Sequence, residues 1–212
     1  MDEIRIEELC QRIPALQVVT PQLRSAFAVC RAALEGGGTL YVCGNGGSHA
    51  DAQHITGELM KGFLKPRALA VEEQVILQER FASSGVALAR GLQQGLRALV
   101  LGAESCLTTA VSNDNDPNLV FAQPLYVLGR PGDVLVALST SGNARNVAMA
   151  CRVALLKDMR IVGFTGADGG TLAELATVCL RVPATATYLV QELHLPLYHC
   201  LCALLEEAFF PS

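Results

Sequence analysis

The segment from residue 39 to residue 59, TLYVCGNGGSHADAQHITGEL, constrains the fold more than any other part of this chain. It opens with Leu40–Cys43, a short apolar run of β-favouring residues. Residues 44–47 (GNGG) then let the backbone turn sharply and approach a ligand closely. Ser48 is a good N-cap, so the segment predicts a buried strand, a glycine turn and a helix. Free N–H groups over that turn would bind an anion such as phosphate.

His54 and Glu58 follow one turn into the predicted helix and share one face, because they are four residues apart. A base or metal-ligand pair beside an anion-binding turn suggests chemistry on a phosphorylated small molecule. The alternative explains this stretch equally well: His54 and Glu58 would be a surface pair, and the glycine turn would bind no ligand. His49 stands where a Rossmann fingerprint needs glycine, and no Gly-Lys-Ser/Thr follows, which excludes a P-loop.

A second strand–loop–helix unit starts after Gly132-Asp133. Val134–Leu138 is a continuous apolar run, typical of a strand buried on both faces. It leads into Ser139, Thr140 and Ser141 and then into a helix predicted to run through Leu156. Three hydroxyls plus backbone N–H groups can hold the oxygens of a phosphate. A capped helix with a polar loop is the alternative, but capping needs fewer than three consecutive hydroxyls.

The rest of the chain alternates between strand and helix patterns, which predicts an α/β fold with a parallel sheet covered on both faces. Further strands are expected at residues 97–101, 160–164 and 178–182, and helices at 2–36 (two helices, the second opened by Pro21), 107–111, 118–128 and 189–209. Residues 63–95, with a helix expected near 87–96, are interpreted as inserted helices or a lid. The prediction is one domain over residues 1–212, with a helical hairpin at 1–36. Ligands are expected beyond the carboxyl ends of the strands.

The last helix carries Gln191, His194 and His199. At 100° per residue, Gln191 and His199 differ by about 80° and can reach one pocket, whereas His194 lies about 140° from His199. Pro196 is expected to bend this helix. A single histidine on an apolar helix is usually a core residue, so pairing with a second element elsewhere is what favours a functional His199.

The composition of the chain argues against several classes of protein function. The 212 residues are 51% hydrophobic and 17% charged, with a net charge of −4 and no basic run, which argues against a nucleic-acid partner. Mean hydropathy is positive, which favours a surface buried in a homo-oligomer. No apolar segment is long enough for a membrane helix, and the N-terminus lacks signal-peptide features. The eight cysteines form no C-x-x-C pair, which excludes a zinc finger and favours a reduced cytoplasm.

Five motifs in order identify a resemblance: GNGGSHADAQHITGEL, VSNDND, STSGN, FTGADGG and QELHLPLYH. Together they resemble the sugar isomerase (SIS) domain proteins, and within them the phosphoheptose isomerases, over about residues 30–209. The resemblance implies a five-stranded parallel sheet sandwiched between helices in a flavodoxin-like, three-layer arrangement. It also implies a homotetramer with shared sites, and conversion of sedoheptulose 7-phosphate to D-glycero-D-manno-heptose 7-phosphate.

The resemblance also assigns roles to residues. Glu58 would be the general base and His199 the general acid of proton transfer through an enediol. Substrate contacts would come from Asn45, Gly46, Gly47, Ser48, Asn113, Asp114 and Gln191, and phosphate contacts from Ser139, Thr140 and Ser141. In members that bind zinc, the ligands would be His54, Glu58, Gln191 and His199. Zinc and proton transfer would then compete for Glu58.

Three departures from the family pattern bear on the identity of the sugar more than on the reaction. Ala144 replaces a frequent serine, Tyr188 replaces a common acidic residue, and Gly62 replaces an arginine for which Lys61 or Lys65 could stand in.

Two other classes of SIS protein are rival interpretations. One is a non-catalytic binding protein of the type that associates with the bacterial replication initiator. It lacks the glutamate and the final histidine, so the presence of Glu58 and His199 favours an enzyme. The other is a different sugar-phosphate-binding SIS protein, such as a regulator or an etherase. Regulators generally carry a DNA-binding domain, and this chain has no basic helical module.

Overall fold

The computed structural model describes residues 2–211, apart from the side chain of Asp2; Met1 and Ser212, the ends of the predicted 1–212 domain, lie outside the described residues. The strands are β1 Leu40–Cys43, β2 Ala98–Val100, β3 Val134–Leu138, β4 Arg160–Thr165 and β5 Val178–Arg181. The helices are α1 Asp2–Arg12, α2 Thr20–Glu35, α3 Gly47–Met60, α4 Val71–Gly91, α5 Ser105–Asp114, α6 Ala122–Leu128, α7 Arg145–Leu156, α8 Gly170–Leu175 and α9 Thr187–Phe209, with 3₁₀ turns at Pro14–Val19 and Pro117–Leu119.

Within residues 2–211 the strands form one five-stranded parallel sheet in the order β2-β1-β3-β4-β5. This confirms the predicted α/β class. The register pairs Leu40 with Val134 and Cys43 with Ala137, so β1 and β3 end together. Every residue of β1 and β3 is buried, as the uninterrupted apolar runs predicted.

Successive side chains of each strand pack into two different cores, because they point to opposite faces of the sheet. Leu40, Val42 and Val136 pack with α1, α2, α3 and α9 on one face. Tyr41 and Leu135 pack with α5, α6, α7 and α8 on the other. Burial of these apolar faces is the main favourable contribution to folding. Within residues 2–211, every helix is too short or too polar for a transmembrane span.

The strand order reverses direction between β1 and β3, and ligands of open α/β sheets bind beyond the carboxyl ends of the strands at such a point. The glycine turn, residues 44–47, follows β1. The loop that carries Ser139, Thr140 and Ser141, here called the hydroxyl loop, follows β3. The topology therefore brings the two predicted anion-binding loops next to each other, although they are about ninety residues apart in sequence.

Several predicted local features are wrong. Gly46 (φ 54°), and not Ser48, is the N-cap of α3, which begins at Gly47; Ser48 lies inside the helix and is buried. A positive φ at this position suits glycine, which has no Cβ to clash. The helix predicted at 107–111 is longer, because α5 runs to Asp114. The helix predicted near residues 87–96 ends at Gly91 as the end of α4. The helix predicted at 118–128 is split between the 117–119 turn and α6.

Residues 63–95 contain α4, which is kinked at Ala82 (φ 48°, ψ −125°). The two halves meet tightly, because a Cβ on Gly85 would lie 1.8 Å from the carbonyl oxygen of Leu77. Val71, Ile76 and Phe81 are exposed on it. The segment is helical, and its nature as inserted helices or a lid stays a prediction.

A buried ion pair ties the chain after α3 to α9. Arg67 donates to Glu206 at 2.8 Å and to the carbonyl oxygens of Leu59 (2.7 Å) and Glu58 (3.1 Å). Glu206 also accepts the N–H groups of Phe63 and Leu64, both at 2.8 Å. Burial raises the pKa of Glu206, but these hydrogen bonds and Arg67 outweigh it and hold the pKa below its ordinary value. The Arg67–Glu206 ion pair and its hydrogen bonds, here called the clamp, fix the end of α3, the helix that carries Glu58.

Candidate active site

Two asparagines join the loops at the switch point. Asn45 and Asn146 exchange hydrogen bonds in both directions, each Nδ2 donating to the other's Oδ1 at 2.8 Å. Asn45 belongs to the glycine turn and Asn146 to the first turn of α7. Gln191 of α9 lies against the same turn, because a Cβ on Gly47 would be 2.3 Å from its Nε2. Glycine at 47 thus makes room for the Gln191 amide.

Backbone N–H groups hold the hydroxyl loop after β3 in place. Ser139 is buried, and its Oγ accepts the N–H of Ala144 at 3.4 Å. Ser141 is exposed, and its Oγ accepts the N–H of Asn143 at 3.2 Å. Thr140, which is half-buried, accepts the N–H of Gly166 through its carbonyl oxygen at 2.9 Å. The three hydroxyls lie together just before α7, whose N-terminus favours an anion.

The segment after β4 supports this loop from behind. Gly142 has φ 70°, and a Cβ there would lie 1.9 Å from the carbonyl oxygen of Gly169. Asn143 Oδ1 accepts from the N–H and the hydroxyl of Thr171, at 3.1 and 3.3 Å. The FTGADGG motif therefore fixes the shape of the hydroxyl loop.

The side chains of Glu58 and His199 meet at His54. Nε2 of His54 lies 3.0 Å from Oε1 of Glu58 and 3.4 Å from Nε2 of His199. His54 and Glu58 are on α3, and His199 is on α9, so this cluster joins an early helix to the last one. It places a carboxylate and an imidazole where one small molecule can reach both. Their chemical roles stay predictions.

Charge and burial shape this cluster. The Glu58 side chain is 15% exposed, and Lys61 Nζ lies 3.6 Å from its Oε2. Burial lowers the pKa of His199, and the charge of His54 lowers it further, against the opposing effect of Glu58. The His199 ring is therefore neutral at pH 7. Phe63 packs beside it, with ring centroids 5.5 Å apart. Lys61 thus lies near Glu58, and which lysine replaces the family arginine, Lys61 or Lys65, stays a prediction.

His194, in contrast, is a core residue, as expected of the histidine that faces away from His199. It is fully buried, its Nε2 lies 3.3 Å from the carbonyl oxygen of Thr165, and burial lowers its pKa to about 4. Asn113 and Asp114 are in the last turn of α5, where Asn113 donates to Asp114 at 2.8 Å. Within residues 2–211, no hydrogen bond connects this pair to the two loops or to the His54 cluster.

Sequence reasoning missed three residues of the site: Asp51, Asn146 and Tyr198. Asp51 carries a signal, since it precedes His54 by three residues and shares its face of α3. Asn146 and Tyr198 carry none, because their contacts depend on how α7 and α9 pack in three dimensions.

The side chains His54, Glu58, Gln191 and His199 offer donor types that zinc accepts. The distances of 3.0 and 3.4 Å around His54 Nε2 suit neighbouring ligands of a tetrahedral ion, which lie about 3.3 Å apart for bonds of about 2.0 Å. Across residues 2–211, however, no three His, Cys, Asp or Glu side chains are arranged to hold a metal. The donor types and these two distances fit zinc, and its binding by these side chains stays a prediction.

Comparison with known proteins places this geometry in a family. Models of the SIS domain match residues 5–95 and 125–204. A phosphoheptose isomerase of Rhodospirillum rubrum is 39% identical over 188 residues, which are 89% of this chain and 86% of that protein. A phosphoheptose isomerase of Shewanella baltica is 34% identical over 209 residues, covering 97% of this chain and 93% of the relative.

Solved structures agree with the sequence comparison. The phosphoheptose isomerase GmhA of Neisseria gonorrhoeae superposes with a TM-score of 0.74 at 30% identity, covering 97% of this chain and 96% of that one. A phosphoheptose isomerase of Francisella tularensis superposes with a TM-score of 0.76 at 28% identity, covering 95% and 94%. The similarity therefore spans almost the whole chain, including both loops and the last helix.

Proposed function

Since this chain belongs to the phosphoheptose isomerase family of SIS-domain proteins, we propose that it converts sedoheptulose 7-phosphate to D-glycero-D-manno-heptose 7-phosphate. The observation that carries the proposal is the meeting of Glu58 and His199 at His54. A non-catalytic binding protein has no need for a carboxylate and an imidazole brought together from two distant helices.

The reaction moves a proton between adjacent carbons through an enediol. Glu58, as a carboxylate, removes the C1 proton and returns it at C2. His199 handles the proton on the oxygens, and its lowered pKa keeps the ring neutral at pH 7. A neutral ring can donate from one nitrogen and accept at the other, so it can serve both oxygens in turn. Both residues work on one substrate because α3 and α9 pack together.

The phosphate of the substrate is proposed to bind the hydroxyl loop. Ser139, Thr140 and Ser141 provide donors, and the N-terminus of α7 adds a favourable dipole. Asn45, Gly46 and Gly47 line the facing turn, where Ser48 supports the helix start and Gln191 adds an amide. Asn113 and Asp114 are proposed to contact substrate from α5. The phosphate end anchors the sugar, and the carbonyl end extends to Glu58.

Removing two hydroxyls tests the phosphate site. The double variant Ser139→Ala, Ser141→Ala is expected to lower kcat/KM by about 10²-fold or more, mainly through KM, because each hydrogen bond to a charged group contributes about 1.5–3 kcal/mol. Steady-state kinetics measure this. Ser105→Ala, at the exposed start of α5, is the matched control and is expected to stay within twofold. A double variant with wild-type KM contradicts the proposed site.

Zinc binding is a further proposal, supported by the donor types of His54, Glu58, Gln191 and His199. A bound zinc ion would polarise the substrate carbonyl and so favour loss of the neighbouring proton. Metal analysis of protein purified without chelator tests it: about one zinc per chain supports the proposal, and none after incubation with zinc salts refutes it.

A homotetramer in the cytoplasm is also proposed. Val127, Leu156 and Tyr188 are each more than 60% exposed, and an interface would bury such apolar surface. The cysteines of the described residues are free thiols, which suits a reducing compartment. Light scattering at several concentrations tests the assembly, and a monomeric mass throughout contradicts it.

A turnover assay on sedoheptulose 7-phosphate, with and without added zinc, tests the proposed reaction. The expected result is formation of the aldose 7-phosphate until an equilibrium mixture is reached. No product under either condition favours the alternative, a SIS-domain binding protein of the kind that associates with the replication initiator. Activity on another sugar phosphate alone favours a different SIS protein.

A further inference from the structure

Two side-chain amides pair where the glycine turn meets the start of α7. Asn45 Nδ2 donates to Asn146 Oδ1, and Asn146 Nδ2 donates to Asn45 Oδ1, both at 2.8 Å. Asn146 Oδ1 also accepts the backbone N–H of Val147 at 2.9 Å. The amide pair is therefore tied to the backbone of α7 at one end and belongs to the glycine turn at the other.

The backbone N–H of Val147 settles the orientation of both amides. An N–H group only donates, so the Asn146 atom that it contacts is the carbonyl oxygen. The Asn45 atom that contacts this oxygen must then be the nitrogen, which leaves the Asn45 oxygen facing Asn146 Nδ2. If the Asn45 amide were flipped, oxygen would face oxygen and nitrogen would face nitrogen, and both hydrogen bonds would be lost.

A count of donors and acceptors shows what each amide has left for a ligand. A side-chain amide has two N–H donors and an oxygen with two lone pairs. Asn146 is half-buried, and its oxygen uses both lone pairs, on Asn45 and Val147. Asn45 is exposed, and in the described residues its side chain uses one N–H and one lone pair, both on Asn146. Asn45 therefore keeps one donor and one acceptor, whose directions are set by Asn146.

We infer that Asn146 is a positioning residue for substrate binding, which holds the Asn45 amide in the orientation that leaves one donor and one acceptor for the sugar. A sugar hydroxyl both donates and accepts a hydrogen bond, so it suits the two free positions of Asn45. The inference rests on the proposed function, in which Asn45 contacts the heptose phosphate. Asn146 acts only through Asn45, because its own oxygen has no lone pair left.

Steady-state kinetics of a double-mutant cycle test whether Asn146 acts through Asn45. Asn146→Ala is expected to raise KM about tenfold and to leave kcat within about threefold, because hydrogen bonds to the bound sugar weaken when the Asn45 amide can rotate. Asn45→Ala is expected to raise KM at least as far. In the Asn45→Ala background, Asn146→Ala is expected to change KM by less than about twofold, because no amide is left to hold. A merely structural role of Asn146 would still raise KM in that background.

Crystal structures of the ligand-free proteins provide a measurement that needs no turnover. In the wild type, the two amides are expected to face each other with both hydrogen bonds present. In Asn146→Ala, the Asn45 amide is expected to leave this orientation. Asn146→Ser is the second variant, because its hydroxyl can accept the Val147 N–H but is too short to reach Asn45. It is expected to release the Asn45 amide in the same way while the start of α7 stays intact.

The controls separate this role from a general effect of losing an amide. Gln22→Ala, which removes an exposed amide from α2, is expected to leave KM within about twofold, with or without Asn45→Ala. Three results overturn the inference: wild-type KM in Asn146→Ala, an equal rise of KM with and without Asn45→Ala, or an Asn45 amide that keeps its orientation in both Asn146 variants. If the wild type does not turn over the heptose phosphate, the proposed function fails, and the orientation of the Asn45 amide in the crystal structures alone decides the inference.

Discussion

Replacing Glu58 by glutamine is expected to lower kcat by about 10²–10⁴-fold and to leave KM within a few-fold of the wild type. The amide keeps the shape and the hydrogen-bonding reach of the side chain but cannot take a proton from carbon. General acid–base groups typically contribute this much to a rate. Steady-state kinetics on sedoheptulose 7-phosphate measure the effect.

The loss is attributable to the missing base only if the fold is intact. The backbone carbonyl of Glu58 accepts from Arg67, and the side-chain change leaves that contact in place. The midpoint of thermal unfolding is therefore expected to stay within a few degrees. Glu192→Gln is the matched control, because Glu192 is exposed on α9 and the same charge is removed. Wild-type activity in Glu58→Gln contradicts the assigned base.

The second large effect is on stability. Arg67→Met is expected to lower the free energy of unfolding by about 3–5 kcal/mol, because breaking a buried pair leaves an uncompensated charge. Both partners are almost completely buried, at 0% and 1% side-chain exposure. The variant also frees two carbonyl oxygens at the end of α3 and leaves Glu206 with two backbone donors. Urea unfolding monitored by circular dichroism measures the change.

Two variants separate the stability effect of breaking the buried ion pair from the effect of losing one positive charge. Arg31→Met removes an exposed arginine that is ion-paired with Glu35 on α2, and it is expected to cost less than about 1 kcal/mol. The double variant Arg67→Met, Glu206→Leu is expected to be more stable than Arg67→Met alone, because no unpaired charge remains. An Arg67→Met protein no less stable than Arg31→Met contradicts this account.

The sheet could be predicted because its strands are short apolar runs that need burial on both faces, as Val134–Leu138 shows. Both loops could be placed at the ligand edge because parallel strands present their carboxyl ends together. The N-cap could not be predicted: Ser48 has the preferred side chain, but glycine at 46 adopts a positive φ and the helix begins two residues earlier, at Gly47. At this position the backbone conformation of Gly46 outweighs the N-cap preference of the serine side chain.

The site was predictable where it depends on spacing along one helix. His54 and Glu58 share a face because they are four residues apart, and the angle of about 140° between His194 and His199 argued against a shared site for these two histidines. The contacts of Tyr198 with Asp51 and His54 depend on how α3 and α9 pack, which no spacing along the chain encodes. The ion pair of Arg67 with Glu206 is equally a product of tertiary packing, which no pattern along the chain predicts.

A crystal structure of the Glu58→Gln variant with bound sedoheptulose 7-phosphate tests the central claim most directly, because the variant binds substrate without consuming it. The predicted result is a phosphate on the hydroxyls of Ser139 and Ser141, with C1 and C2 of the sugar within about 3–3.5 Å of the substituted side chain at position 58 and of His199. A sugar phosphate bound away from that loop, or one whose reacting carbons reach only one of the two side chains, would contradict the account.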